Sequence, residues 1–169
     1  MNKVYGILKQ FTPIRSDRSR LIISYECQPL EDGVHATWYE IYFYKKPYPV
    51  VTFEMVKEAI IADINAQTDE KILKGFVWND KPVWLSSENQ FNFKAAYDLA
   101  VQTDGANLPV KFKLGETEKG KSIYYTFDNT ELLMDFYTKA VGFINSCLNE
   151  GWDRKESINW RVIKNKIQQ

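Results

Sequence analysis

The sequence from Gly75 to Ala100 is GFVWNDKPVWLSSENQFNFKAAYDLA. Its two short apolar runs, Phe76–Trp78 and Val83–Leu85, flank the polar residues Asn79–Lys81. Asn and Asp tolerate tight-turn geometry and hydrogen-bond to their own backbone, so this pattern predicts a β-hairpin. Pro82 has no amide proton and fits only at the start or edge of the return strand.

A helix is predicted directly after this hairpin. Ser86 or Ser87 offers a hydroxyl group to the free amides of a first helical turn, and Ser87-Glu88-Asn89-Gln90 has the spacing of a capping box. We expect the helix to run from about residue 88 to residue 102. Its predicted buried face consists of Phe91, Ala95 and Leu99. Hairpin and helix are therefore joined with almost no linker.

The N-terminal part of the chain also predicts strands followed by a helix. A short strand is expected within residues 1–8, a polar loop at Ile14–Arg20, and a strand at Leu21–Cys27, where apolar and polar residues alternate. After a turn at Asp32-Gly33, the aromatic stretch Val34–Tyr44 predicts the second strand of an antiparallel hairpin. Pro47 and Pro49 are expected to end this strand.

Thr52 is the predicted N-cap of the first helix. The helical face that follows contains Val56, Ile60, Ile61 and Ile64. We expect this helix to end near Gln67, and the polar residues Thr68–Lys71 to form a short joint.

The C-terminal third predicts one more hairpin and two helices. The alternating run Val110–Leu114, the polar turn GETEKG at residues 115–120 and the run at residues 122–127 predict the hairpin. Asp128 is the predicted N-cap of a helix that ends at Gly151. Its apolar stripe is formed by Leu133, Phe136, Tyr137, Ala140, Ile144, Cys147 and Leu148. A final amphipathic helix is expected within residues 153–169.

These elements predict an α+β fold in which antiparallel β-hairpins alternate with helices packed on one side of the sheet, with a long C-terminal amphipathic helix. We expect two parts. Residues 1–68 form an N-terminal β-hairpin-plus-helix module, and residues 69–169 form a C-terminal α+β domain.

Composition excludes several classes of protein. Lys plus Arg and Asp plus Glu number 22 each, so the basic excess typical of nucleic-acid-binding proteins is absent from the total. No stretch approaches the roughly 18–20 apolar residues that span a bilayer. No secretory signal is visible at the N-terminus, so the 2 cysteines, Cys27 and Cys147, are predicted to be free thiols in a reducing compartment. We therefore expect no nucleic-acid or membrane partner.

No catalytic or metal-binding signature is present in the sequence. Nucleophilic catalysis by Ser or Cys usually needs a base, most often His. The one histidine, His35, lies near the start of a strand beside a turn, where a surface or packing role is expected rather than a catalytic one. A metal site requires several Cys, His or carboxylate ligands at regular spacing. Among the 22 acidic residues, Asp32, Glu40 and Glu88 have no special claim to catalysis. The sequence therefore predicts a protein that is not an enzyme and uses no cofactor or metal.

Three tryptophans are the candidate binding residues. Trp38, Trp78 and Trp84 could stack against a sugar or a base. Trp78 and Trp84 flank one turn and share a face if the register allows it. The alternative is that they pack against a helix beneath the hairpin.

A family resemblance gives a more specific expectation. Residues 69–160 resemble an uncharacterised domain found at the C-terminal ends of phage tail-fibre and tail-fibre-assembly proteins. The similarity consists of Gly75-Phe76-Val77-Trp78, Val83-Trp84-Leu85-Ser86, Gln90-Phe91-Asn92 and the Cys147-Leu148-Asn149 element on a long helix. Many relatives carry a Thr and a His after that element, whereas this chain has Glu150, Gly151 and Trp152.

The resemblance implies a phage- or prophage-derived structural or assembly protein. Such a protein would contact other phage-tail proteins or associate with itself, and would be made in the cytoplasm of a bacterial host, with or without later association with the virion. The alternative hypothesis is a small glycan- or peptide-binding module that uses Trp38, Trp78 or Trp84.

Overall fold

The structure is a computed structural model that describes residues 2–44 and 50–167. Antiparallel strands and helices alternate along the chain, which confirms the predicted α+β fold. In order, the elements are β1 Asn2–Ile7, β2 Ile14–Ser16, β3 Arg20–Pro29, β4 His35–Tyr44, α1 Phe53–Gly75, β5 Phe76–Trp78, β6 Lys81–Val83, α2 Ser87–Gln102, β7 Val110–Glu116, β8 Ser122–Phe127, α3 Thr130–Ser157 and α4 Trp160–Ile167.

The chain divides into two compact units. Unit 1 comprises Met1–Asn65 and Asp153–Gln169, and unit 2 comprises Ala66–Trp152. The predicted module boundary after residue 68 lies close to the division between Asn65 and Ala66. The sequence had placed residues 153–169 in the C-terminal domain, whereas the contacts group them with the N-terminal residues.

Unit 1 is built on a four-stranded antiparallel sheet with the strand order β1-β4-β3-β2. The predicted hairpin is its centre, with Ile23 of β3 opposite Ile41 of β4. One face of the sheet packs against a cluster that includes Ile60 of α1 and Ile163 of α4. The segment predicted as a loop at Ile14–Arg20 contains a short strand, because Ile14 pairs with Ile23 and packs against this core.

Helix α1 is longer than predicted. Its N-cap is Thr52 as predicted, with the Oγ1 atom accepting the Met55 N–H at 3.3 Å. The helix continues through the expected joint at Thr68–Lys71 to Gly75, so the predicted end near Gln67 is wrong. The joint residues include neither Gly nor Pro, and Ile72 beyond them is buried in the core of unit 2. The predicted strand end at Pro47 and Pro49 lies outside the described residues.

The predicted central hairpin is present in unit 2. Strands β5 and β6 pair antiparallel, with Phe76 opposite Val83. Asn79 and Asp80 both have positive φ, at 47° and 58°, which is the geometry of a two-residue type I′ turn. After β6, the Trp84 N–H donates to the Leu114 carbonyl at 2.7 Å and links this hairpin to the β7–β8 hairpin.

Helix α2 begins where predicted but buries a different face. The Ser86 Oγ accepts the Asn89 N–H at 3.2 Å, so Ser86 is the N-cap. The core side is formed by Phe93 and Ala100, whereas the predicted core residues Phe91, Ala95 and Leu99 are exposed. The helix carries two apolar faces, and the one whose aromatic rings contact rings of other elements faces the core. Phe93 meets Phe112 and Phe136 edge-on, and Tyr97 stacks on Tyr137.

Helix α3 carries the predicted apolar stripe, with Leu133, Phe136, Ala140 and Cys147 buried. Two predictions about its ends are wrong. The N-cap is Asn129 rather than Asp128, since the Asn129 Oδ1 accepts the Leu132 N–H at 2.8 Å. Gly151 does not stop the helix: it is buried at a close approach, where an added Cβ would lie 2.6 Å from the Thr68 Oγ1.

The helix predicted within residues 153–169 is divided in two. Helix α3 continues to Ser157, and α4 starts at Trp160 after a break at Ile158-Asn159. The Asn159 Oδ1 accepts the Val162 N–H at 3.2 Å and caps α4. None of the helices in residues 2–44 and 50–167 has the length and apolar character needed to cross a membrane.

Candidate functional site

Two of the three candidate tryptophans are structural. Trp38 is only 5% exposed, and its Nε1 donates to the Glu40 Oε1 at 2.8 Å. Trp78 is 2% exposed, its Nε1 donates to the Asp135 Oδ2 at 3.0 Å, and its ring meets Phe136 edge-on. Neither ring leaves a face for a ligand. The structure therefore contradicts the stacking prediction for Trp38 and Trp78. Trp78 packs in the unit 2 core against α3, as the alternative interpretation expected, whereas Trp38 is buried on the unit 1 sheet, where its ring meets Phe11 edge-on.

The partner of Trp38 belongs to a buried polar cluster on the unit 1 sheet. The Glu40 carboxylate accepts hydrogen bonds from Arg15 Nη1 at 2.8 Å, Trp38 Nε1 at 2.8 Å and Tyr42 OH at 3.0 Å. Burial raises the pKa of Glu40, but these hydrogen bonds outweigh it and hold the pKa below its ordinary value. A carboxylate held ionised by three donors is a structural acceptor and not a proton-transfer group.

Trp84 is the candidate that lies at the surface. It is 37% exposed and directly follows the buried Val83, the last residue of β6. The Lys113 Nζ lies 5.5 Å from the centroid of its ring. Directly across the β7–β8 pair from Lys113 is Tyr124, which is also exposed. The structure thus leaves Trp84 available for a ligand, beside a second exposed aromatic residue and a cation.

The remaining sequence candidates do not assemble a reactive centre. His35 contacts Asp32 through its Nδ1 at 2.6 Å and stacks on Tyr5, in a surface pair beside the turn. No cluster of three or more His, Cys, Asp or Glu side chains suited to a metal ion occurs in the part of the chain that the structure describes. Cys27 and Cys147 are both free thiols.

A groove lined mainly by apolar residues lies between α2 and α3 in unit 2. Its volume is about 200 Å³, and its lining residues come from the segment that follows β6 and from the two helices. The lining includes Leu85, Phe93, Tyr137, Val141 and Ile144. Phe91 stands at its rim and is 72% exposed, the most exposed large apolar side chain among the described residues. Sequence reasoning missed this groove because it assigned Phe91 to the core.

A second cavity, of about 450 Å³, lies within unit 1. Its walls come from the segment before β2, from the middle of β3 and from the α3–α4 break. They include Phe11, Cys27, Gln28, Arg154, Asn159 and Val162. The register of β3 against β4 shifts between Tyr25 and Gln28, so this wall is a β-bulge.

The bulge is fixed by an ion pair. Glu26 has a φ of 52°, and its carboxylate accepts two hydrogen bonds from Arg154, at 3.0 Å from Nε and 2.8 Å from Nη2. Only 8% of the Glu26 side chain is exposed. The hydrogen bonds to Glu26 raise the pKa of Arg154, while burial raises the pKa of the Cys27 thiol. Cys27 is thus a thiol, not a thiolate, at neutral pH, and its nucleophilicity is low.

Comparison with known proteins adds no family assignment. The chain matches no protein-family model, no curated protein and no solved structure. The geometry of the groove, the Trp84 face and the unit 1 cavity is therefore the basis for a functional conclusion.

Proposed function

We propose that this chain is a non-catalytic structural or assembly protein of phage or prophage origin that acts through protein–protein contacts. The observation that carries the proposal is the α2–α3 groove with Phe91 at its rim. A contiguous apolar feature with a protruding aromatic side chain is typical of an interface hot spot. The resemblance of residues 69–160 to a phage-tail-associated domain supports the origin and the class of partner.

The groove and Phe91 fit a second copy of the same chain. A two-fold symmetric interface uses the same patch on both partners, so it requires a protrusion and a depression side by side. Phe91 supplies the protrusion, and the groove of about 200 Å³ supplies the depression. An apolar cavity of about 150 Å³ can hold a benzene molecule, so this groove is large enough for a phenyl ring. A formal net charge of +0 removes long-range repulsion between copies.

Sedimentation equilibrium over a wide range of concentration tests the proposal. We expect a reversible dimer for the wild type and a monomer for Phe91→Asp and for Val141→Asp, since either change places a charge inside the interface. The matched control is Val34→Asp, an exposed apolar position in unit 1, which should leave the dimer intact. A wild-type monomer at high concentration, or a dimer unaffected by both groove variants, contradicts self-association through this groove.

A mixing experiment makes the test more specific. Phe91→Asp keeps the groove but loses the protrusion, while Val141→Trp keeps the protrusion and blocks the groove. Together they can form one of the two symmetric contacts, so the mixture should form a heterodimer although each variant alone is monomeric. Tail genes beside the coding sequence would separately support the phage origin.

A small glycan- or peptide-binding module is the second candidate, favoured by the exposed Trp84 beside Tyr124. Trp84→Ala should abolish binding to a glycan array and leave the circular dichroism spectrum unchanged. If the array signal of the wild type survives in the variant, the tryptophan face is not the binding surface.

A further inference from the structure

The unit 1 cavity has the features of a built binding site. Its volume of about 450 Å³ falls in the range of roughly 300–1,000 Å³ that is typical of small-molecule pockets. Its walls combine apolar side chains, such as Phe11 and Val162, with the carboxamide groups of Gln28 and Asn159. The buried part of its wall includes Tyr25, Ile158 and Ile163, whereas Gln28 and Asn159 are exposed. Apolar walls with a few polar groups are the usual make-up of a ligand site.

One residue in the wall of this cavity has an energetically unfavourable backbone conformation. Glu26 adopts a left-handed φ of 52° inside a strand, where glycine would be favoured. Arg154 holds it there by the bidentate ion pair. The bulge turns Cys27 out of the regular alternation and onto the cavity wall. Strained residues that neighbouring groups hold in place concentrate at functional sites, and bulges commonly redirect a side chain toward one.

The charges of the cavity indicate what it can bind. Glu26 and Arg154 are the only residues with formal charge in the described lining, and they neutralise each other. The lining therefore carries no net charge that would favour an anionic or a cationic ligand. An uncharged molecule can occupy the apolar space without disturbing the pair. Its polar group can bond to carboxamides, which both donate and accept hydrogen bonds.

We propose that the unit 1 cavity binds an uncharged, mainly apolar small molecule that carries one hydrogen-bonding group. The proposal is independent of the function proposed above, because every residue it uses lies in unit 1 and the α2–α3 groove lies in unit 2.

Two fluorescent probes that differ by one charge test the ligand class. N-phenyl-1-naphthylamine is uncharged and has an aromatic body with one N–H group, and 8-anilino-1-naphthalenesulfonate is nearly the same molecule with a sulfonate added. Titration of the full chain should show saturable 1:1 binding of the uncharged probe. Binding of the sulfonate should be weaker by about tenfold or more. Equal affinity for both probes, or no saturable binding of the uncharged one, overturns the proposal.

Two measurements place the probe in the cavity. Val162→Trp fills the cavity and should weaken the uncharged probe by about tenfold or more, whereas the matched variant Val34→Trp, at an exposed position of unit 1 outside the cavity, should leave its affinity unchanged. In the wild type, modification of Cys27 by N-ethylmaleimide, followed by mass spectrometry, should slow in proportion to probe occupancy. The buried Cys147 reports any unfolding. An unchanged rate at Cys27 with saturating probe overturns the assignment even if Val162→Trp fails to fold.

Discussion

The same substitution at two glycines of α3 should have opposite effects on stability. At Gly142 an added Cβ would meet no atom within 4 Å, whereas at Gly151 it would lie 2.6 Å from the Thr68 Oγ1 and 3.4 Å from its Cγ2. Both glycines are inside one helix, so Gly→Ala gains about 1 kcal/mol of helix propensity at each. The substitutions therefore differ in packing alone.

The size of the difference follows from that contact. Gly142→Ala should raise the free energy of unfolding by about 0.5–1 kcal/mol. At Gly151 the same gain is opposed by overpacking, which costs about 1–3 kcal/mol because the β-branched Thr68 has no long, flexible end to move away. Gly151→Ala should therefore be neutral to destabilising. The two variants should be separated by about 1–3 kcal/mol.

Urea unfolding monitored by tryptophan fluorescence measures both variants, with equal m-values as the condition for comparison. A double-mutant cycle with Thr68→Ala identifies the contact, because most of the packing cost at Gly151 should disappear when the Oγ1 and Cγ2 atoms are removed. The reasoning is refuted if Gly151→Ala stabilises the protein as much as Gly142→Ala does.

The other predictions concern the buried acid, the tryptophans and the central turn. The pKa of Glu40 is held below its ordinary value of 4.5, so its contribution to stability should be present above that pH and be lost as the pH falls through the lower folded pKa. In the Glu40→Gln variant, the free energy of unfolding should therefore fall less steeply at acidic pH than in the wild type. An unchanged dependence on pH would refute this. Trp78→Ala should cost about 3–5 kcal/mol in urea unfolding, whereas Trp84→Ala should cost only about 1–2 kcal/mol because its ring is partly exposed. Similar values for the two would show that their environments do not differ as described. Asn79→Gly should be tolerated, while Asn79→Ala should lower the free energy of unfolding by about 1–2 kcal/mol because φ is positive there; equal thermal midpoints for the two variants would argue against the type I′ turn.

Local signals predicted the hairpins and most helix starts. The preference for the β5–β6 turn is contained in two residues, Asn79 and Asp80. The N-cap of α2 is equally local, because Ser86 accepts the amide of a residue only three positions later. The polar stretch Thr68–Lys71 was misjudged because polarity alone does not end a helix when Gly and Pro are absent.

The buried face of α2 required information from the rest of the fold. Phe91 and Phe93 begin two competing apolar faces on one helix, and periodicity alone does not rank them. The aromatic contacts of Phe93 with Phe112 and Phe136 come from distant parts of the chain and decide the outcome. The groove beside Phe91 follows from that choice, so the sequence could not predict it.

The sequence could not predict the unit 1 cavity either, because this cavity also depends on contacts between distant parts of the chain. Glu26 and Arg154 are 128 positions apart, and neither belongs to a recognisable motif. The β-bulge that contains Glu26 also interrupts the alternation of apolar and polar residues on which the prediction of this strand relied. Of the three tryptophans, Trp38 and Trp78 lie in strands whose residues alternate between buried and more exposed positions, and both occupy buried positions of that pattern.

The Glu40 cluster has a consequence for how this protein can change during evolution. Replacing the acid by an apolar residue would remove the acceptor of three donors, those of Arg15, Trp38 and Tyr42, and would leave the Nε1 group of the buried Trp38 without its partner. A single substitution at position 40 is therefore disfavoured, while a joint replacement of all four residues by well-packed apolar ones is not. Among descendants of this chain, the four positions should be inherited or lost as a set, although they lie on two different strands of the first sheet, β2 and β4.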